Sequence, residues 1–214
     1  MGFKKDIEEF DIPLDALMGV GKGFDPVSEI LQTNLDDRRI VINDTINDSL
    51  MERVELWILQ FNKEDKYLPV EKRKKIYLYI NSLGGDMVEG AQLLSVIECS
   101  KTPVVTVGFG ICASMAFYIL AAGHERYVFP STVALYHDGS LAYAGSANKA
   151  RDTQKFYDKI DQHMFNFTLE HTAMDKEFLE SISDREYYMF SEELKSRSVI
   201  DKIIGVDVEL EEIL

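Results

Sequence analysis

The sequence is poor in cysteine and in basic residues. Two cysteines, Cys99 and Cys112, are too few for a disulfide framework or a zinc cluster in a chain of 214 residues. We expect both thiols to be reduced and buried, which favours a cytoplasmic location. Acidic residues outnumber lysine and arginine by 37 to 23, giving a formal net charge of -14. This charge argues against nucleic acid or an anionic membrane surface as the main partner.

Long apolar runs and nucleotide-binding motifs are also missing. The longest apolar stretch, 103–123, is interrupted by four glycines or serines, and a strand followed by a helix explains it better than a membrane span. The first residues, MGFKKDIEEFDIP, have no central apolar region of the kind found in secretory signals. GVGKGF is not a phosphate loop, because no Ser or Thr follows its lysine. We therefore expect no membrane association and no bound nucleotide or metal cofactor.

What the sequence does contain is a regular alternation of strand-like and helix-like segments from residue 36 onwards. The strand-like segments are near-continuous apolar runs, as in strands that are buried on both faces. The alternation predicts an α/β fold with a mostly parallel sheet covered by helices. We predict strands at 38–43, 74–81, 102–108, 126–130 and 133–137, and helices within 47–65, 87–100 and 114–123.

The two ends of the chain differ from this middle part. Residues 1–35 are punctuated by glycine and are predicted to form a separate, mobile segment. Residues 146–172 form a long helical pattern with an apolar stripe, and a helix of that length would extend about 37 Å. That is longer than the core requires, so we expect the helix to project toward a partner. The tail after it predicts a short helix and a closing strand. The apolar stripe consists of Phe156, Ile160, Met164 and Phe167.

A single serine, Ser114, lies at the hinge between a predicted strand and a predicted helix, in GFGICASMAFYILAAG. Serine is a favoured N-cap, so a structural role alone would explain it. A functional explanation is that the hinge exposes the hydroxyl while the first helical amides stabilise negative charge beside it. The second explanation corresponds to a nucleophile elbow, in which a strand-to-helix turn exposes the serine, although CASMA does not match G-x-S-x-G.

Two backbone amides could converge beside this serine. NSLGGD, residues 81–86, follows a strand and opens a helix, and its adjacent glycines allow an amide to face a ligand closely. A tight structural turn is the alternative explanation. The amides of Gly85 and Met115 would together make an oxyanion hole in outline.

A general base is also required, and four histidines are available. His137 ends the predicted strand VALYH, and functional groups gather at the carboxyl ends of strands in open α/β sheets. His163 and His171 lie on the long helix, and His124 follows a helix-ending glycine, so we expect structural roles for these three. With 37 acidic residues, spacing alone cannot identify the acid that would orient the imidazole.

Several separate motifs, in the right order, resemble the proteolytic subunit of the Clp protease (ClpP), a self-compartmentalised serine peptidase. The resemblance extends over roughly residues 36–205. It includes IYLYINSLGGDMVEGAQLL, TPVVTVGFGICASMAF, the strand end LYH and SDREYYMFSEELKSRSVIDKII. It implies a single protease domain from residue 36 to 214 with a crotonase-like fold.

The resemblance also implies roles for individual residues. The nucleophile falls on Ser114, the general base on His137 and the acidic member on Glu186, with Asp184 nearby left open as the alternative. The oxyanion amides fall on Gly85 and Met115. The chain order Ser, His, acid differs from that of α/β-hydrolases.

A large assembly is implied as well. The family forms heptameric rings, two of which stack into a barrel, and helix 146–172 would be the handle between rings. Arg185 matches an arginine involved in ring-to-ring contacts. Tyr77 and Tyr79 match part of an apolar pocket that accepts loops of a hexameric AAA+ unfoldase ATPase, although ordinary strand packing also explains them. Substrates would be unfolded polypeptides.

Residues 1–35, which the family uses to line an axial pore, match the family poorly, and four further features depart from its pattern. Leu83 replaces the usual Pro, Asp138–Gly139 replace Gln–Pro, and residues 66–75 look like a small solvated insertion. Glu186 replaces the usual Asp, and its extra methylene moves the carboxylate by about 1.5 Å. Triads with Glu work on other folds, so this change alone does not imply inactivity.

Our main hypothesis is therefore a serine endopeptidase. The alternative is a structural subunit of a mixed ring with little or no catalysis, which Leu83, Asp138 and Glu186 motivate. A third hypothesis is an acyl-CoA enzyme of the crotonase superfamily, but it gives no reason for Ser114 and His137 to occur together.

Overall fold

The computed structural model describes residues 26–139 and 145–213. These residues fall into two compact units, divided between Asp37 and Arg38. The first contains helix α1 (Pro26–Asp36), and residues 1–25 of the predicted N-terminal segment lie outside the described residues. No helix in the described ranges is both long and apolar enough to cross a membrane.

The second unit alternates strands and helices as the sequence predicts. Its strands are β1 (Arg39–Ile42), β2 (Ile76–Ser82), β3 (Val104–Ala113), β4 (Glu125–Val128), β5 (Val133–Tyr136), β6 (Tyr187–Phe190) and β7 (Lys202–Ile203). Its α-helices are α2 (Leu56–Asp65), α3 (Met87–Cys99), α4 (Met115–Ala121), α5 (Ala147–His171), α6 (Lys176–Ser181) and α7 (Ser191–Ser196). A π-helical turn, Met51–Glu55, leads directly into α2.

All seven strands belong to one sheet. The order β1-β2-β3-β4-β7 runs across it, β5 pairs with β3, and β6 pairs with β5. Each pairing is parallel except that of β5 with β6. The predicted mostly parallel α/β fold is thus confirmed, and its buried strand residues explain the continuous apolar runs.

Strand β3 changes its neighbour part-way along its length. Its first half, Val105–Gly108, pairs with β4, and its last three residues, Ile111–Ala113, pair with β5. Gly110 between them has a φ of +91°, and a Cβ there would lie 2.6 Å from Oδ1 of Asn81. The same Oδ1 accepts a hydrogen bond from the Ile111 N–H at 3.1 Å. The side chain of Asn81 thus holds the bend at which β3 leaves β4 for β5.

Some predicted boundaries were wrong. The strand predicted to end at residue 108 continues to Ala113, and the tail contains an antiparallel strand, β6, as well as two short helices. The prediction of two buried cysteines was also wrong in part. Cys112 is buried but Cys99, at the end of α3, is exposed; both thiols are free.

The long helix α5 agrees closely with its prediction, 146–172. Its 25 residues correspond to about 37 Å. Met164 and Phe167, in its C-terminal half, are buried, whereas Phe156 is 49% exposed. The apolar stripe therefore packs on the domain at one end only, and the other end leaves apolar surface exposed.

Candidate active site

Ser114 occupies a strained turn between β3 and α4. Its φ of 54° and ψ of -126° are rare for a residue with a side chain and cost about 1–3 kcal/mol. Its N–H donates to the carbonyl of Leu135 on β5 at 2.9 Å, which fixes the turn to the sheet. Within the described residues its hydroxyl makes no capping bond to α4. The N-cap explanation of this serine therefore fails, and the hydroxyl is available for another role.

The NSLGGD loop lies directly against this turn. Gly84 has a φ of +93°, and a Cβ placed on it would come within 2.9 Å of the Met115 nitrogen. Ile46 donates to the Gly84 carbonyl at 2.9 Å and accepts from the Asp86 N–H at 2.9 Å, which leaves the Gly85 N–H outside this bridge. The Met115 N–H begins α4 and is one of the first-turn amides that lack an intrahelical partner. The two amides predicted for an oxyanion hole thus belong to neighbouring turns in contact.

His137 follows β5 immediately, on the strand next to the serine. The register pairs Ala113 with Leu135, so Ser114 and His137 leave parallel neighbouring strands at the same edge of the sheet. Both residues line one open cavity of about 410 Å³. Among the described residues, no direct hydrogen bond joins Ser114 Oγ to the imidazole. The cavity is lined by Met87, Ser114, Met115, Tyr118, Tyr136, His137, Asp138, Gly139, Asp158, Asp161, Gln162, Met164, Phe165 and Ser183.

The two candidate acids, Glu186 and Asp184, do not line the cavity. The antiparallel β5–β6 ladder ends at the pair Tyr136–Tyr187, and His137 and Glu186 adjoin this pair on the two strands. The carboxylate of Glu186 is exposed and accepts a hydrogen bond from the Tyr188 hydroxyl at 2.9 Å. Asp184, the alternative, is exposed and has a φ of +57°. The acid of the triad therefore stays a prediction.

Asp138, one of the departures from the family pattern, connects the segment after His137 to the loop that carries the two candidate acids. Its Oδ2 accepts from the Asp184 N–H at 2.6 Å and from the Ser183 hydroxyl at 3.1 Å. Asp138, directly after His137, thereby fixes the turn that leads into β6.

Charge and burial shape the cavity further. The pKa of Asp161 is raised, chiefly by burial and also by the negative charges of Asp138 and Asp158. Burial likewise raises the pKa of Tyr118 and Tyr136, whose rings are 6.1 Å apart between centroids. The tyrosines form a rigid aromatic wall, because the Phe117 ring also meets Tyr136 edge-on at 5.5 Å.

Comparison with known proteins identifies the group to which this arrangement belongs. The family model described as Clp protease matches residues 23–207, most of the chain. This chain belongs to the Clp protease family.

Two curated relatives have the same printed name, ATP-dependent Clp protease proteolytic subunit 2. The protein from Bacillus licheniformis is 30% identical over 178 residues, covering 82% of this chain and 90% of the relative. The protein from Bifidobacterium longum is 27% identical over 181 residues, covering 84% of each. The mostly parallel sheet with flanking helices is consistent with the crotonase-like fold expected of a Clp protease. Family membership supports a peptidase.

The residues predicted to make Clp protease assembly contacts are not among those that line the cavity. Arg185 is exposed. Tyr77 and Tyr79 are only partly exposed, and their hydroxyls donate to the carbonyls of Glu212 and Ile213 at 3.4 and 3.0 Å. Both tyrosines also pack against a buried cluster that includes Ile213. The C-terminal turn (Leu210–Ile213) therefore covers part of the surface predicted to contact a Clp ATPase.

Sequence reasoning missed the contribution of α5 to this Clp protease site. Asp158, Asp161, Gln162 and Phe165 line the cavity from the long helix, which the sequence predicted only as a partner-seeking element. The signal was present, because spacings of three, four and seven residues place these side chains on one helical face.

Proposed function

We propose that this chain is a serine endopeptidase that cleaves unfolded polypeptides inside a barrel of stacked rings. One observation supports the proposal most directly. Ser114 lies at a strained turn, its hydroxyl makes no capping bond to α4, and it shares a cavity with His137 at the edge of the sheet. A serine hydroxyl that makes no capping bond and shares a cavity with an imidazole supports the roles of nucleophile and general base.

In the proposed reaction, His137 removes the proton from Ser114 Oγ as the oxygen attacks the scissile carbonyl. The amides of Gly85 and Met115 stabilise the oxyanion, and His137 then protonates the leaving amine. Water hydrolyses the acyl-enzyme by the reverse sequence. Glu186 would hold the imidazole tautomer, a role supported by the fact that Glu186 and His137 adjoin the same terminal pair of the β5–β6 ladder.

The same proposal includes a homo-oligomer of two heptameric rings fed by an AAA+ unfoldase of the Clp type. The exposed apolar surface in the N-terminal half of α5 supports a contact between subunits there, since Phe156 is 49% exposed. Arg185 would contribute to ring contacts, and the surface of Tyr77 and Tyr79 would receive the ATPase.

The test is labelling of the assembled protein with a fluorophosphonate, followed by digestion and mass spectrometry. We expect modification at Ser114 and none in Ser114→Ala, together with hydrolysis of short fluorogenic peptides. Modification elsewhere, or no modification of a well-formed oligomer, would overturn the assignment.

A second candidate is a structural subunit of a mixed ring. It is favoured by the engagement of Glu186 with Tyr188 rather than with the imidazole. Coexpression with an active paralogue distinguishes the two functions. Unchanged ring activity in Ser114→Ala would favour the structural role, whereas reduced activity would favour catalysis by this chain.

A further inference from the structure

The cavity beside Ser114 has an unusual distribution of charge. It contains the proposed nucleophile and base, so part of a substrate must occupy it during the reaction. Its lining carries three carboxylates, from Asp138, Asp158 and Asp161, and no lysine or arginine among the residues described.

The carboxylates lie beside an apolar wall. Asp158 and Asp161 project from α5 three residues apart, and Met164 and Phe165 line the same cavity from the next turn. An apolar wall with carboxylates beyond it matches a side chain that has an aliphatic stem and a cationic head.

The carboxylates of Asp158 and Asp161 form no ion pair among the residues that the structure describes. Asp158 accepts a hydrogen bond from the neutral amide of Gln154 at 2.7 Å, and none of the recorded ion pairs involves Asp158 or Asp161. The raised pKa of Asp161, caused by burial and by two neighbouring carboxylates, agrees with an excess of negative charge. A positively charged ligand would relieve this repulsion.

The carboxylates are also not arranged to share a metal ion. Within the described residues, no three His, Cys, Asp or Glu side chains are grouped closely enough to hold one. Carboxylates spread along the wall of a cleft suit an extended organic cation better than a compact inorganic one.

We infer that this cavity receives the substrate side chain next to the scissile bond, and that Asp161, assisted by Asp158, makes it prefer lysine or arginine. The inference rests on the proposed protease function and adds a substrate class to it. Because water reaches both aspartates and the burial of Asp161 is only partial, we expect a moderate preference, about fivefold.

The experiment compares peptides that differ only in charge at one position. Two fluorogenic peptides carry arginine or citrulline, which is nearly the same shape without the charge, immediately before the reporter amide. The matching peptidyl phosphonates measure labelling of Ser114 without turnover. The readout is the ratio of the arginine rate to the citrulline rate, since a loss of folding or assembly lowers both rates together.

We expect a ratio of about five in the natural sequence, a ratio near one in Asp161→Asn, and a preference for glutamate peptides in Asp161→Lys. Asp152→Asn is the matched control. Asp152 is an exposed residue of the same helix, nine positions away and hence on the opposite face, and it does not line the cavity. It should keep the natural ratio.

The outcomes separate this inference from the proposed function. If a simple fluorophosphonate labels Ser114 but arginine and citrulline react equally, the charge preference is overturned and the protease assignment stands. A ratio that Asp161→Asn leaves unchanged also overturns it. If no reagent labels Ser114, the protease assignment fails and this inference fails with it.

Discussion

The backbone of Gly84 lies directly against Ser114: a Cβ built on Gly84 would come within 2.6 Å of Ser114 Cβ and of the Ala113 carbonyl oxygen. No real Cβ approaches backbone atoms so closely, so one of the two turns would have to move. The proposed nucleophile and the proposed oxyanion amides are therefore positioned by the same contact.

Gly84→Ala should displace the nucleophile. A shift of about 1 Å at a reacting centre costs about 100-fold, and we expect kcat/KM for a fluorogenic peptide to fall by at least that factor. The matched control is Gly205→Ala. Gly205 also has a positive φ, +79°, but no atom lies within 4 Å of a Cβ there. It should lose about 1–2 kcal/mol of stability and keep its activity. Equal activity of the two variants would contradict the positioning role of Gly84.

The acid of the triad can be identified by comparing Glu186→Gln with Asp184→Asn. Because Glu186 and His137 adjoin the same terminal pair of the β5–β6 ladder, we expect Glu186→Gln to lower kcat by about 10³- to 10⁴-fold, as when an imidazole loses its orienting carboxylate. Asp184→Asn keeps the backbone N–H bond to Asp138 and should have little effect. Steady-state kinetics of both variants decide the matter, and the reverse order of effects would assign the role to Asp184.

A buried ion pair beneath β1 predicts how stability depends on pH. Arg38 donates to both carboxylate oxygens of Asp65, at 2.6 and 2.9 Å, and both side chains are almost fully buried. The hydrogen bonds from Arg38 hold the pKa of Asp65 below its usual value, and that from Thr102 lowers it further. The stability that the pair contributes is therefore present above the unfolded-state pKa of about 3.9 and is lost as the pH falls through the lower folded value.

Asp65→Asn should lower the free energy of unfolding by about 3 kcal/mol near neutral pH and should flatten its dependence on pH below about 4. Glu64→Gln is the control, because Glu64 contacts the same arginine at 3.4 Å but is about half exposed, and we expect a loss of at most about 1 kcal/mol. Chemical denaturation across this pH range measures both quantities. A loss in Glu64→Gln that equals the loss in Asp65→Asn would contradict the proposed difference.

Much of the fold followed from local patterns. Continuous apolar strands and a 3.6-residue stripe depend on short stretches of sequence, so most strands and the long helix α5 were predicted closely. Strand β3 was predicted too short because Gly108 and Gly110 resemble a strand end. The bend at Gly110 is accommodated by Asn81, which lies about thirty positions earlier in the chain, and no local pattern reveals such a partner.

The positions of the candidate site residues were predicted to a similar extent. Ser114 and His137 each stand at a strand end, and parallel neighbours bring such ends together. The aspartates of α5 could not be placed in the same way, because the packing of a long helix against the sheet decides which of its faces meets the cavity. Cys99 was predicted to be buried on the basis of residue type, but its place at the last position of α3 exposes it.

The change of neighbour along β3, from β4 to β5, has a mechanical consequence. Ser114 directly follows β3, whereas His137 and Glu186 adjoin the strand pair β5–β6. This pair joins β3 through three residue pairs. A small rotation of β5 and β6 relative to β3 would change the alignment between the Ser114 hydroxyl and the His137 imidazole and would leave β3 unaltered. A partner that binds β5, β6 or the helix next to them would therefore control whether the Ser114 hydroxyl and the His137 imidazole come within hydrogen-bond distance.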